Sequence, residues 1–201
     1  MMEVDNSSVD IRKFFQDKFQ IENPEALKWA EGLVSFRTVH RGEKLLEAGE
    51  VPVHLSILWS GICRGFLVDE NGHDTTDCFS VERGDVLWGC GPLDEPSIIG
   101  MEALTECELI QIPMESLLKR MGNCNVMRII NRCLSEALER HWNIRFILCQ
   151  GDAMKRYLWF LKTYPGLVDQ VNKRHIASFL GMTAVSLSRL RKRLREDSDQ
   201  E

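Results

Sequence analysis

Arg189, Lys192 and Arg193 recur on one side of a segment whose other side is Leu187, Leu190 and Leu194. That spacing is the period of an amphipathic helix with a cationic outer face. Side chains of this kind make and break no bonds; they hold polyanions. A guanidinium pairs with phosphate or with guanine O6 and N7, and an ammonium neutralises phosphate. A shorter apolar pattern precedes the segment, with Ile176 and Leu180 four apart and Ala177 and Phe179 beside them. Gly181 stands between the two, where a helix end needs a positive φ, and the Thr183 hydroxyl is placed to cap the helix that follows. The small Ala177, the turn at Gly181 and the apolar Leu187 have the spacing of a helix-turn-helix over residues 173–194. An amphipathic hairpin with a solvated basic face explains the apolar spacing equally well, but not the short turn with its nearly pure cationic face.

DNA is therefore the expected ligand. Arg189 is expected to read guanine, Val185 a thymine methyl, and Ser186 a base edge. Lys173, Arg174, Thr183, Ser188, Lys192 and Arg193 are expected at phosphates, which position without specifying.

Charge is distributed to suit. Residues 1–153 carry 15 basic and 25 acidic side chains, a balance of −10. Residues 154–195 carry 10 basic and one acidic, +9, and the last six residues add −4, giving the net −5. A basic end on an acidic body implies that only the end of the chain meets a polyanion. The seven cysteines include no CxxC pair, which argues against a disulfide scaffold and fits a reducing cytoplasm. Met1–Asp10 is polar and no apolar run is long enough to span a bilayer, so neither a signal peptide nor a membrane partner is expected. No glycine-rich phosphate loop, paired-histidine motif or nucleophile elbow is present, and no enzyme is expected.

The elements that must position the basic segment read as follows. Residues 8–33 are helical, with Ile11, Phe14, Phe15 and Phe19 on one side and a restart at Pro24. From about 36 to 112, short β-rich segments alternate with glycines at 42, 49, 61, 72, 84, 89 and 100, the pattern of a sandwich or roll. Asn71-Gly72 predicts a type I′ hairpin turn. Residues 122–149 form the longest helix. Its stripe Val126, Ile130, Cys133, Ala137, Ile144 and Leu148 is heptad-like, the expected seam with a second copy, and Met127, Leu134, Leu138 and Trp142 cover another face. A hinge at 150–152 and a helix at 153–164 lead to the basic segment.

In this order, with RGEKLLEAGE at 41–50, GDV at 84–86, EALTECELIQIP at 102–113 and IASFLGMTAVSLSRLRKRL at 176–194, the chain resembles the cyclic-AMP receptor protein / fumarate-nitrate regulator (Crp/Fnr) superfamily of bacterial transcription regulators. The resemblance implies an α+β chain: a cyclic-nucleotide-binding-like jelly roll with a helical cap (1–121), a dimerisation helix with hinge (122–150) and a C-terminal helix-turn-helix domain (151–201). It implies a homodimer on a palindromic double-stranded operator, with RNA polymerase a further expected partner. Three departures stand out. Gly89 is followed by Cys90 where cyclic-nucleotide binders place glutamate, and their phosphate-pairing arginine is replaced at Pro96 or Ser97, which disfavours cyclic AMP. Arg64 and Arg83 are the cations that remain to substitute. The first cysteine, Cys63, lies inside the roll, away from the N-terminal cluster of the iron–sulfur branch; haem donors would have to come from His54, His73, His141, Cys78 and Cys90. The reading helix opens with Ala184 and Val185 in place of arginine and glutamate, so the operator should differ.

The expected effector pocket is therefore Cys78, Gly89, Cys90 and Ser97 with His141, Trp142 and Asn143 of the long helix, for a small molecule the sequence does not name. Three alternatives stay open: a ligand-free roll with constitutive DNA binding, a cyclic-nucleotide receptor with an atypical cassette, and a module whose basic end meets an acidic protein.

Overall fold

The computed structural model describes residues 11–198. Met1–Asp10, on which the expectation of a polar N-terminus rests, and the end of the acidic tail at 199–201 lie outside them. Helix α1 (Ile11–Phe19) is followed by α2 (Pro24–Leu33), which starts where expected. Proline fits the first turn because its missing N–H would be unsatisfied there, and the Asn23 side chain accepts the N–H groups of Glu25 and Ala26.

Eight strands then form two four-stranded antiparallel sheets. One contains β1 (Ser35–Val39), β8 (Cys107–Pro113), β3 (His54–Ser60) and β6 (Val86–Leu87) in that spatial order; the other contains β2 (Lys44–Leu46), β7 (Gly100–Ala103), β4 (Cys63–Val68) and β5 (Asp74–Ser80). Alternation along β8 explains how the roll is held on both sides. Cys107 and Leu109 meet Val39, Leu58 and Met101 between the sheets. Ile110 and Ile112 meet Phe15, Phe19, Leu27 and Ala30 of the N-terminal helices. The helical cap thus covers an apolar outer sheet face, as the apolar spacing of residues 11–19 required.

The β4–β5 turn differs from expectation. Only Gly72 has positive φ there, +80°, so no type I′ turn forms. Instead the Asp69 carboxylate accepts the N–H groups of Asn71 and His73, closing a longer, Asx-stabilised loop over residues 69–73.

After the short α3 (Met114–Leu118) comes α4 (Cys124–Gln150), capped by Asn123. Its predicted partner-facing stripe is in fact largely internal, which is a correction to the sequence reading. Val126 and Ile130 are buried against Leu93, Met114 and Leu117, and Ile144 is buried against the C-terminal helices. Cys133 packs beside the outer-sheet cluster, and Leu148 beside the C-terminal one. The helix lies along its own roll, so the more apolar stripe is consumed there. Ala137 is exposed and borders a cavity described below. The other face stands open: Leu134, Leu138, Trp142 (58% exposed) and Phe146 (62%) follow one another at four-residue steps.

Asp152 caps α5 (Ala153–Thr163), which stops before Pro165-Gly166. A single turn, α6 (Leu167–Gln170), leads to α7 (Lys173–Phe179) and α8 (Ala184–Ser198). These helices share a core of Tyr157, Phe160, Ile176, Phe179, Leu180 and Leu187, and the same core takes in Ile62, Phe79 and Leu104 of the roll. The two modules are packed together through it.

Candidate nucleic-acid interface and effector pocket

Asn172 caps α7 by accepting the Arg174 N–H. Leu180 ends that helix and Gly181 turns the chain with φ +61°. The Thr183 hydroxyl then accepts the Ser186 N–H at 3.1 Å and lies 2.9 Å from the Ser186 hydroxyl. Thr183 and Ser186 are thus paired at the start of α8, the position in which a helix offers free N–H groups to an anion. Leu187 is fully buried, with Leu190 and Leu194 against the same core. The opposite side carries Val185 (60% exposed), Ser188, Arg189, Lys192 and Arg193, all exposed. Lys173 and Arg174 are exposed at the start of α7. Lys192 reaches Glu196 across 3.6 Å of solvent-facing helix, whereas Arg191 is turned inward to Asp169 at 3.5 Å.

A cavity of about 100 Å³ separates the roll from α4. Asp77, Cys78, Trp88, Cys90 and Met101 line it from the roll, with Arg132, Glu136, Arg140 and His141 from α4. Of the expected pocket residues, Cys78, Cys90 and His141 are brought together here. Gly89 and Ser97 are not: they close on each other. The Ser97 hydroxyl donates to the Ile99 carbonyl at 2.6 Å and lies 3.1 Å from that of Gly89. A Cβ on Gly89 would come within 2.3 Å of that hydroxyl. Trp142 and Asn143 are also off the cavity, exposed beyond it. Trp142 belongs to the open face, four residues from both Leu138 and Phe146.

Charges that sequence reasoning passed over govern the cavity. Asp85 is buried; its carboxylate accepts the Val81 and Glu82 N–H groups and pairs with Arg140 at 3.3 Å. The GDV segment therefore ties α4 to the roll. Arg132 pairs with Glu136 and donates to the Lys18 carbonyl. Burial, then the Asp77 charge, pushes the Cys78 thiol up to about 12 and that of Cys90 to about 11, so both are neutral at physiological pH. Cys90 holds a left-handed backbone, φ +59°, an uncommon conformation for a residue with a side chain. Among the described residues, no three of His, Cys, Asp or Glu converge as cation ligands.

Neither substitute cation reaches the cassette. Arg64 is fully buried, donating to Glu102 (2.8 Å) and Thr76 (2.9 Å) and paired with Asp74. Asp74, itself partly exposed, thereby pairs with a buried guanidinium. The Arg83 guanidinium lies 3.2 Å over the Trp59 ring.

Strand β5 joins the two sites. Asp77 and Cys78 face the cavity, and the next residue, Phe79, meets Phe160, Tyr164 and Phe179. Two positions before Cys78, the Thr76 N–H donates to the Ser178 hydroxyl of α7 at 3.2 Å. His175, beside it, is buried with Nδ1 unpartnered among the described residues, while Nε2 accepts from Arg174 at 3.3 Å. Burial, with the Arg64 and Arg174 charges, pushes His175 down to about 4.

A jelly roll, a long helix lying along it and a basic helix pair packed onto its β5 strand make up the architecture. Residues 36–124 match the cyclic nucleotide-binding domain family. FixK2 of Bradyrhizobium japonicum superposes with a TM-score of 0.72 at 18% identity, covering 82% of this chain and 86% of that one. The c-di-GMP-responsive global regulator CLP of Xanthomonas campestris gives 0.68 at 15% identity, covering 88% and 93%. A transcriptional regulator assigned to the Crp/Fnr family from Eubacterium rectale gives 0.70 at 16%, covering 87% and 84%. No curated protein matches the chain by sequence. The resemblance read from the sequence therefore holds at the level of fold: residues 36–124 match that domain family, and the chain has the fold of Crp/Fnr regulators. No helix among the described residues is long and apolar enough to cross a membrane.

Proposed function

We propose that the protein is a homodimeric, sequence-specific DNA-binding transcription regulator of the Crp/Fnr type, acting in the cytoplasm and without enzymatic activity. One observation carries this reading. Among the described residues, the face of α8 left uncovered by its own core is the one bearing Val185, Arg189, Lys192 and Arg193. A face so charged, with its apolar side fully packed, fits a phosphate backbone and a major groove.

The second copy would dock along Leu134, Leu138, Trp142 and Phe146, where four large apolar side chains stand in water on one helix face. Two helices paired there would hold two α8 helices for the two halves of a palindrome. The effector would enter the cavity between roll and α4 and act on the DNA module through β5, whose successive residues face the two sites. Its chemistry differs from that of cyclic AMP: Ser97 fills the space beside Gly89, and Arg64 is held by Asp74 and Glu102. Domain limits at 121 and 150 belong to the same proposal, as does contact with RNA polymerase.

The test is genome-wide selection of bound DNA followed by footprinting of the best site. Protection of one palindrome, with affinity falling steeply as salt rises, is expected. Salt-insensitive binding, or capture of acidic proteins in place of DNA, would refute it. Saturable micromolar binding of cyclic AMP or cyclic GMP would overturn the statement about the effector alone.

A further inference from the structure

Two thiols lie outside both sites. Cys63 opens β4 in one sheet and Cys107 opens β8 in the other, at the end of the roll where residues 104–106 cross between sheets. Their sulfur atoms are 3.7 Å apart, and both side chains are buried. A disulfide is about 2.04 Å long, so closing the gap takes a movement of about 1.7 Å. The surroundings are shaped to the pair. A Cβ on Gly61, whose φ is +97°, would come within 2.5 Å of the Cys107 sulfur, so only glycine leaves that sulfur its place. Cys107 Sγ also lies 3.4 Å from the carbonyl oxygens of Ile62 and Thr105 and 3.8 Å from the Thr105 hydroxyl. Above it is one layer of turn, with Glu106 exposed and Gly61 and Thr105 half-buried.

The two sulfurs are not equivalent. Hydrogen bonds from Cys63 and Thr105 hold the Cys107 thiol below the ordinary range, whereas its bond to Cys107 and its burial push Cys63 up. Cys107 is the sulfur under a single layer of turn, with the Cys63 thiol in contact with it.

We propose that Cys63 and Cys107 form a redox site that interconverts between dithiol and disulfide, with hydrogen peroxide as its oxidant. The Cys107 thiolate attacks one peroxide oxygen; the O–O bond breaks, hydroxide leaves and takes up a proton to become water. The resulting sulfenic acid is attacked by Cys63 sulfur, forming the S–S bond as the S–OH bond breaks. The Cys63 proton leaves with that hydroxyl as a second water. Two thiols are oxidised by two electrons and one hydrogen peroxide is reduced.

The pair sits against the core that joins the modules. Ile62, between Gly61 and Cys63, and Leu104, beside Thr105, pack in the cluster that holds Phe79, Phe160 and Tyr164. Oxidation removes the Cys107 contact to the Ile62 carbonyl and draws the turn toward β8, which loosens Ile62 in that cluster. The consequence for operator binding rests on the regulatory reading above; the sulfur chemistry does not.

The test treats the full chain with hydrogen peroxide, maps thiols by peptide mass spectrometry and follows backbone hydrogen exchange. The expected result is a Cys63–Cys107 linked peptide, reversed by dithiothreitol, with faster exchange over residues 157–180 and operator affinity lowered about tenfold. Cys107→Ser should give no bridge. Cys63→Ala should halt at a sulfenic acid on Cys107 that dimedone traps, which keeps the proposal open to refutation if the serine variant fails to fold. Oxidation of the exposed Cys124 and Cys149 while Cys63 and Cys107 stay reduced would overturn the site. A bridge that left exchange unchanged would overturn the switch. Failure of the reduced protein to bind any operator counts against the regulatory reading only, since the peptide map and the exchange are read without DNA.

Discussion

The rings of Phe79 on the roll and Phe179 at the end of α7 meet edge to face, their centroids 5.1 Å apart. Both are almost fully buried, and Phe160 and Tyr164 complete the contact around Phe79. Edge-to-face pairs add about 0.5–1.5 kcal/mol beyond burial, so this one residue of the roll is worth more to the C-terminal helices than its area alone suggests. It also follows Cys78 directly, so a displacement of β5 at the cavity reaches α7 without an intermediary.

Phe79→Ala should therefore uncouple the two modules. Truncating a buried phenylalanine costs about 3–5 kcal/mol, and here the loss falls on the seam. Calorimetry should show the single unfolding transition broaden or divide, with the lower step assigned to residues 153–198. An unaltered single transition, merely shifted, would place Phe79 in the roll's stability alone.

Acid should act on the same seam through His175. Its value is near 4 in the folded chain against an ordinary 6.5, lowered by burial first and then by Arg64 and Arg174, with Glu102 and Asp74 opposing. The neutral form is the one that fits. Stability from this residue is complete above about pH 6.5 and is lost as pH falls toward 4, up to about 3 kcal/mol. Asp74, held low by Arg64, loses its own contribution only below the ordinary carboxylate range, so the two windows separate. Denaturant titrations at pH 7.0 and 5.0 should differ in the native chain and far less in His175→Gln.

Much of this was legible because it depends on local pattern. The basic face with Leu187 behind it, Thr183 as a cap and Pro24 as a helix start are read from neighbouring residues, and the structure places them so. The α4 seam was not, because two apolar stripes on one helix give no indication which meets the roll; that depends on α3 and Leu93 lying beneath Val126 and Ile130. The Asn71-Gly72 turn failed because Asp69, two residues earlier, competes for the backbone N–H groups. Arg64 reads as a free cation until strand pairing sets Glu102 opposite it. The pairing of Cys63 with Cys107 across 44 positions has no local signature.

Exchanging one stripe of α4 for the other makes the dimer testable. Leu138→Asp, on the exposed face, should weaken self-association about thirtyfold or more, as loss of a central apolar anchor does, and leave thermal stability of the monomer nearly unchanged. Ile130→Ala should do the reverse, costing about 2–5 kcal/mol of stability with association little affected. Sedimentation equilibrium beside thermal denaturation separates the two. Loss of association in Ile130→Ala alone would return the seam to the buried stripe.

Readers and positioners on α8 should respond differently to truncation, and their surroundings say why. Arg189 stands one turn after Val185 on the uncovered face, where a guanidinium can take both acceptors of one guanine. Lys192 follows three residues later, near Glu196, and has only a point charge to offer. Arg189→Ala should cost about 1–3 kcal/mol on the best palindrome and relax preference at one base pair per half-site. Lys192→Ala should weaken cognate and unrelated DNA alike and lower the slope of log affinity against log salt by about 1 for each phosphate no longer neutralised. Glu196 sharpens the comparison: its carboxylate competes with phosphate for Lys192, so Glu196→Gln should raise affinity for all sequences by a small and similar factor. Competition titrations against a panel of single-base variants, repeated at two salt concentrations, measure all three. Equal behaviour of the Arg189 and Lys192 variants across that panel would mean that α8 binds backbone only and that sequence is read elsewhere.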